Sequence, residues 1–149
     1  MSVSVFPRRA FVAAVLSGVT AASAIGLGLY GGLSMPESQD FGFSRGVKWA
    51  AQDGERLRGF LARALEDDRI HVTIFGHSGS AGDAVANFDL SVERAEVARA
   101  VAQDLGITTD RMTVQGLGGG RPLPKTDGES ERAYQTRLSR VEVILQMRK

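Results

Sequence analysis

The sequence contains no cysteine among its 149 residues and only two histidines. Without cysteine there are no disulfides, no thiolate zinc ligands and no lipidated N-terminal cysteine, and we predict neither a metal site nor a cofactor. Acidic residues are absent before Glu37, where Arg8 and Arg9 are the only charges. The remaining 16 basic residues balance 17 acidic ones. Because binding to phosphates requires a basic stripe, this balance predicts that nucleic acid is not a partner.

The sequence also lacks a recognisable catalytic constellation. His77, Ser78 and Asp83 are nearly adjacent in sequence, whereas a catalytic triad brings together residues from separate elements. The glycine-rich stretch 116–121 follows a predicted strand, but two prolines rather than a helical pattern come after it, so it does not match a nucleotide-binding loop. We therefore predict that the protein is not an enzyme.

A long uncharged run lies near the N-terminus. Residues 10–36 contain no charged side chain, and about 20 apolar residues are enough for a helix to cross a bilayer core of roughly 30 Å. By the positive-inside rule, residues 1–9 stay in the cytoplasm, residues 10–33 form the apolar segment and the body lies outside. Two interpretations remain open: a transmembrane anchor that is kept, or a signal peptide cleaved after residues 22–24.

The rest of the chain is predicted to fold as one α/β (α+β) domain over residues 43–149, after a polar linker at 34–42. The apolar periodicity predicts six elements: a short strand at 41–43, a helix within 47–65, a strand at 71–75, a helix at 90–105, and strands at 111–115 and 140–145. Residues 117–134 are predicted to be a loop. Helices that alternate with strands, followed by two successive strands, predict a mixed sheet with both helices on one face.

The loop between the strand at 71–75 and the helix at 90–105 is the predicted ligand site. A helix N-terminus offers free backbone N–H groups and the positive end of the helix dipole. Arg94 is close to the predicted start of this helix, and a guanidinium in that place suits a carboxylate.

Two segments of this region carry a family resemblance. Ile74-Phe75-Gly76-His77-Ser78, then Asn87, then Leu90-Ser91-Val92-Glu93-Arg94-Ala95 resembles the OmpA-like C-terminal domain, whose pattern is a strand, Gly-His-Thr-Asp and Asn-x-x-Leu-Ser-x-x-Arg-Ala. Residues 111–116, Pro122 and Arg140-Val141-Glu142-Val143 resemble the later strands of that family. The resemblance covers about residues 54–146.

The resemblance implies a βαβαββ two-layer sandwich that lies in the cell envelope and binds peptidoglycan without cleaving it. It implies that Arg94 holds a carboxylate of diaminopimelate in the stem peptide, with Asn87 beside the same pocket, while an aspartate holds the ammonium group. The protein would then be a single-pass inner-membrane protein with its domain in the periplasm, or a periplasmic protein if the N-terminal segment is cleaved. The expected ligand-binding residues are His77, Ser78, Gly79, Asp83, Asn87, Arg94 and Arg140.

Two departures from the family pattern leave two functions open. Gly79 stands where the family has its aspartate, and Leu138-Ser139-Arg140 stands where Asn-Arg-Arg is usual. In the first interpretation the domain still binds the wall and tethers the membrane to it. In the second, a degenerate domain has lost the wall ligand and serves as a structural or interaction part of an envelope assembly with protein partners.

Overall fold

The structure is a computed structural model that describes residues 36–148. The predicted cytoplasmic segment 1–9 and the apolar segment 10–33 lie outside the described residues. Within residues 36–148, none of the helices combines the length and apolar character needed to cross a membrane.

Five strands and three helices form the described part of the chain. They are β1 (Glu37–Arg45), β2 (Lys48–Trp49), α1 (Asp53–Ala62), β3 (Ile70–Gly76), α2 (Ala84–Asp104), β4 (Met112–Gly116), α3 (Glu131–Leu138) and β5 (Arg140–Met147). The sheet order is β2-β1-β5-β3-β4. In this sheet β3 and β4 pair in parallel, and the other three pairs are antiparallel. The predicted fold class, an α/β domain with a mixed sheet, is confirmed.

The core lies between one face of the sheet and the helices α1 and α2. Along β3, Ile70, Val72 and Ile74 are buried at every second position, because successive side chains of a strand point to opposite faces. These residues join the same buried cluster as Leu57 and Leu61 of α1 and Ala95 and Ala98 of α2. Because this packing removes the inward-facing side chains from water, apolar residues alternate with others along the strand sequence.

Helix α2 begins earlier than the sequence predicts. Its N-cap is Asp83, whose carboxylate accepts a hydrogen bond from the backbone N–H of Ala86 at 2.7 Å, well before residue 90, where the predicted helix begins. The first two turns are mostly exposed and therefore lack the apolar period by which a helix is recognised. At the other end Gly106, with φ +97°, follows the last turn in the left-handed conformation that commonly ends a helix.

The sequence analysis predicted strand β1 too short, as residues 41–43 alone, and missed the two-residue strand β2 and helix α3. Strand β1 begins at Glu37, inside the predicted linker 34–42, because its pairing with β5 extends over polar residues that carry no apolar signal. Helix α3 occupies part of the predicted loop 117–134 and separates β4 from β5, so the prediction of two successive strands was wrong. Only Leu138 of α3 is buried, and a helix with a single buried residue shows no amphipathic period.

Candidate functional site

The main chain of His77 is the point where the predicted site residues meet. It follows directly after β3, which pairs with β5 as far as Gly76 opposite Val141. The His77 N–H donates to the carbonyl of Arg140 at 2.9 Å, and the His77 carbonyl accepts from Nη1 of Arg94 at 2.8 Å. The structure therefore brings Arg94, His77 and Arg140 together from α2, the end of β3 and the start of β5.

Arg94 is a buried cation that has no acidic partner in the described part of the chain. Arg94 is only 3% exposed, and its guanidinium carbon lies 5.2 Å from the centroid of the Phe43 ring. Besides the bond to His77, its Nε donates to the carbonyl of Gly46 at 2.9 Å. Burial lowers the pKa of Arg94, and no described carboxylate raises it. Within residues 36–148, the hydrogen-bond acceptors of this side chain are both neutral carbonyl oxygens.

The ring of His77 is buried and neutral. The residue is 1% exposed, and neither ring nitrogen has a hydrogen-bond partner among residues 36–148. Burial, together with the charge of Arg140, lowers the pKa of His77 to about 4, although the nearby carboxylate of Glu142 opposes the shift. That carboxylate lies 3.7 Å from Nε2. At neutral pH the imidazole is therefore an uncharged group next to a carboxylate.

Arg140 belongs to a charged cluster on β1 and β5. Its Nε lies 3.2 Å from a carboxylate oxygen of Asp40, and Asp40 is directly opposite Glu142 in the sheet register. Two carboxylates placed opposite each other repel. Burial raises the pKa of Asp40, and Arg140 opposes this rise. These charges line an open cleft of about 690 Å³.

The remaining predicted residues organise the loop between β3 and α2. Asp83 caps α2, and the amide of Asn87 donates to the carbonyl of Ala81 at 2.8 Å. The N–H of Ser78 donates to the carbonyl of Gly118 at 3.0 Å. Gly79 and Asn87 line a second cleft of about 310 Å³ that is walled by the glycine-rich segment 117–120.

The sequence analysis missed Gln135 of α3. Its Oε1 accepts a hydrogen bond from the N–H of Ser80 at 2.9 Å, and its Nε2 donates to the hydroxyl of Ser80 at 3.1 Å. Nothing in the local sequence indicates this contact, because the two residues are 55 positions apart and α3 itself was not predicted. The only available signal was Ser130, which caps α3 by accepting from the N–H of Ala133.

The fold and site define a mixed-sheet α/β domain whose second helix carries a buried arginine to the end of the central strands. The model of the OmpA family matches residues 51–136. The chain therefore belongs to the OmpA family, and the predicted resemblance is confirmed.

Solved structures of other proteins share this fold. The peptidoglycan-associated lipoprotein from Burkholderia pseudomallei has 23% identity, covers 73% of this chain and 89% of its own, and has a TM-score of 0.59. The OmpA-like domain of FopA1 from Francisella tularensis has 19% identity, covers 76% of this chain and 77% of its own, and has a TM-score of 0.62. A putative MotB-like protein from Desulfovibrio vulgaris has 21% identity, covers 76% of this chain and 76% of its own, and has a TM-score of 0.61. At these identities the likeness shows the fold alone.

A curated protein also matches part of the sequence. Photosystem I P700 chlorophyll a apoprotein A2 from Gloeobacter violaceus is 34% identical over 77 residues. The match covers 50% of this chain and 9% of that protein. The chain thus spans less than a tenth of the length of this relative.

Proposed function

We propose that this protein binds peptidoglycan non-covalently, without catalysis, and that Arg94 receives a carboxylate of the diaminopimelate in the stem peptide. Membership of the OmpA family and the fold shared with a peptidoglycan-associated lipoprotein support wall binding in general. The choice of Arg94 rests on its position in the family pattern and on its environment. The other expected contacts are His77, Ser78, Gly79, Asp83, Asn87 and Arg140.

The observation that carries the proposal is the uncompensated charge of Arg94. Buried charges are normally paired, because an isolated ion loses far more hydration free energy than neutral groups return. Arg94 is 3% exposed and is held by two carbonyl oxygens, while no carboxylate of the described chain contributes to its pKa. A ligand carboxylate supplies the missing charge and forms a charge-assisted hydrogen bond.

The β1–β2 turn is the route by which a carboxylate reaches this guanidinium. The carbonyl of Gly46 accepts the hydrogen bond from Nε of Arg94, and residues 44–48 around this carbonyl are exposed. Gly46 has φ +54°, and a Cβ built on it meets no described atom within 4 Å, so the space beside the tip of this turn is open. A ligand carboxylate that displaces the Gly46 carbonyl exchanges a neutral acceptor for a charged one.

Sedimentation with insoluble peptidoglycan tests this role of Arg94. The full chain in detergent is mixed with purified sacculi, beside the variants Arg94→Met and Arg99→Met. Methionine keeps an unbranched side chain over Phe43 and removes the charge. Arg99 is the matched control, because it lies on the same helix, is partly exposed and pairs with Glu96.

The proposal predicts that Arg94→Met weakens wall binding by about ten- to a hundredfold, the worth of one charge-assisted hydrogen bond. Arg99→Met should bind as the wild type does. Circular dichroism verifies that both variants are folded. Equal pelleting of wild type and Arg94→Met would remove Arg94 from the binding site.

The domain organisation and location follow as further parts of the proposal. Residues 1–9 would lie in the cytoplasm and residues 10–33 would hold the chain in the inner membrane, with the domain in the periplasm. The alternative is a cleaved, periplasmic protein. N-terminal sequencing of the protein from membrane and soluble fractions separates the two, because a mature chain that starts at residue 25 would be the cleaved form.

A second function is supported by the surface of α2. Val85 is 69% exposed and Phe88 is 50% exposed, and Phe88 lines the cleft next to the glycine-rich segment. Exposed apolar residues that border a cleft are common at protein interfaces. An envelope protein that docks there would make the domain a structural part of an assembly. Val85→Ser, a change outside the lining of that cleft, should then weaken that association and leave sedimentation with sacculi unchanged.

A further inference from the structure

The amide of Gln135 occupies space that a side chain at position 79 would need. A Cβ built on Gly79 would lie 2.4 Å from Oε1 of Gln135, so the end of the Gln135 side chain would have to shift if position 79 carried a side chain. Gln135 is held in this place by three hydrogen bonds, two to Ser80 and one from its Nε2 to Glu131 at 2.7 Å. By resemblance to the family, position 79 is where an aspartate binds the ammonium of diaminopimelate.

A neutral amide, that of Gln135, lies where the family pattern has the carboxylate of an aspartate, and this changes the charge of the site. Gln135 is neutral, and the carboxylate of Glu131 behind it is paired with Lys125 at 2.9 Å. Glu142, the carboxylate next to the ring of His77, accepts a hydrogen bond from Ser38. Glycine at position 79 itself supplies no negative charge, and the nearest acid along the loop, Asp83, uses one carboxylate oxygen to cap α2.

Arg94 and Gln135 act on the same short segment. Arg94 donates to the carbonyl of His77, and Gln135 accepts from the N–H of Ser80. Three residues extend at most about 10 Å, so the backbone groups that the two side chains contact lie within that distance of each other. An ammonium placed there would face the uncompensated guanidinium of Arg94 with no aspartate between them, and like charges repel.

We propose that Gln135 is a specificity-determining residue, and that the site prefers diaminopimelate whose side-chain amine is acylated, as in a peptide cross-link, over diaminopimelate with a free amine. This inference rests on the proposed wall binding. Acylation converts the ammonium into a neutral amide N–H. Oε1 of Gln135 has a second lone pair that accepts from such a donor, while the adjacent carboxylate still reaches Arg94.

Two purified muropeptides test the preference. One is a monomer with a free diaminopimelate amine, and the other is a cross-linked dimer in which that amine is acylated. Both are titrated calorimetrically into the full chain in detergent. The wild type should bind the dimer about tenfold more tightly than the monomer, which is the low end of the effect of a single charge-assisted hydrogen bond.

Variants at positions 79 and 135 should weaken or remove this preference. The double variant Gly79→Asp/Gln135→Ala removes the amide that blocks position 79 and restores the aspartate, so it should bind the monomer about tenfold more tightly than the wild type does. Gln135→Ala alone should bind both muropeptides within about threefold of each other. Gln103→Ala, a change in another exposed amide that bonds to Thr109, should behave as the wild type.

The outcomes separate this inference from the proposed function. If wild type and all variants bind both muropeptides equally, wall binding stands and the role of Gln135 is overturned. If the wild type binds the monomer more tightly, the preference is likewise overturned. If no folded form binds either muropeptide, the proposed wall binding itself fails, and the inference fails with it.

Discussion

The imidazole of His77 shows how burial determines the charge of a single residue in this site. Its pKa is lowered to about 4 from an ordinary value of 6.5, with burial as the main cause. The unfolded chain therefore binds a proton at this residue between pH 6.5 and about pH 4, and the folded chain does not. A base whose folded pKa is depressed contributes stability that is complete above its unfolded pKa and is lost as the pH falls through this window.

The first prediction concerns the pH dependence of stability. Between pH 6.5 and pH 5 the free energy of unfolding should fall by about 1–2 kcal/mol because of His77. Urea denaturation of the wild type and of His77→Gln at both pH values measures the effect, and the variant should have the smaller fall. Asp67 and Glu129, whose pKa values are lowered to about 2 by Arg69 and Arg137, lose their contribution only at more acidic pH.

His71 is the internal comparison for this prediction. Burial also lowers its pKa, but its Nε2 lies 2.8 Å from the hydroxyl of Thr113, on another part of the sheet. His71→Gln should keep most of the fall seen in the wild type. Identical pH profiles for the wild type and His77→Gln would show that His77 is not protected from protonation by the fold.

Residue identities could be predicted at this scale only where they belong to a local motif. Arg94 and Asn87 were predicted because their spacing from Gly76 is set along one continuous strand, loop and helix. The contact of Gln135 with Ser80 depends on a 55-residue separation, and no periodicity reports such a pair. The hydrogen bond from Arg94 to the carbonyl of Gly46, 48 residues away, could not be predicted for the same reason.

At the scale of elements, two glycines let α2 lie close against the sheet. A Cβ on Gly76 would lie 1.9 Å from the carbonyl oxygen of Ser91, and a Cβ on Gly116 would lie 2.7 Å from its hydroxyl. The Ser91 hydroxyl also accepts from the N–H of Gly118 at 2.8 Å. The close packing places the third turn of α2, and with it Arg94, beside the end of β3.

The second prediction is that Gly76→Ala lowers the free energy of unfolding by about 1–3 kcal/mol, because the added methyl group meets backbone and forces α2 away from the sheet. Gly59→Ala is the matched control. Gly59 lies on α1, and nothing in the described chain is within 4 Å of its Cβ position, so this change should add about 0.5–1 kcal/mol through helix propensity. Chemical denaturation measures both, and a stable Gly76→Ala variant would refute the close approach.

An element could be predicted from the sequence when it buries apolar residues at regular intervals. Strands β3 and β5 and the later part of α2 bury residues at regular intervals, and the sequence pattern reported them. Helix α3 buries one residue, and the N-terminal half of β1 is polar. Their positions depend on pairing and capping contacts with distant parts of the chain, which an apolar pattern does not record.

At the scale of the whole molecule, the family fold is established and its ligand is the open question. The OmpA family model covers residues 51–136, a stretch that includes α1, β3, α2 and β4. By resemblance to the family pattern, Arg94 stands at the position of the helix arginine and Gly79 at that of the aspartate. The proposed function requires that the buried charge of Arg94 receives a carboxylate of the wall peptide.

The most direct measurement is nuclear magnetic resonance of the isotope-labelled full chain during titration with soluble cross-linked muropeptides. The signal observed is the Nε–H of Arg94, which donates to the Gly46 carbonyl in the free protein. Binding of a carboxylate should shift this signal and the amides of His77 and Gly46, and leave the Nε–H of Arg99 in place. Shifts confined to Val85 and Phe88, or no shift at all, would contradict carboxylate binding at Arg94.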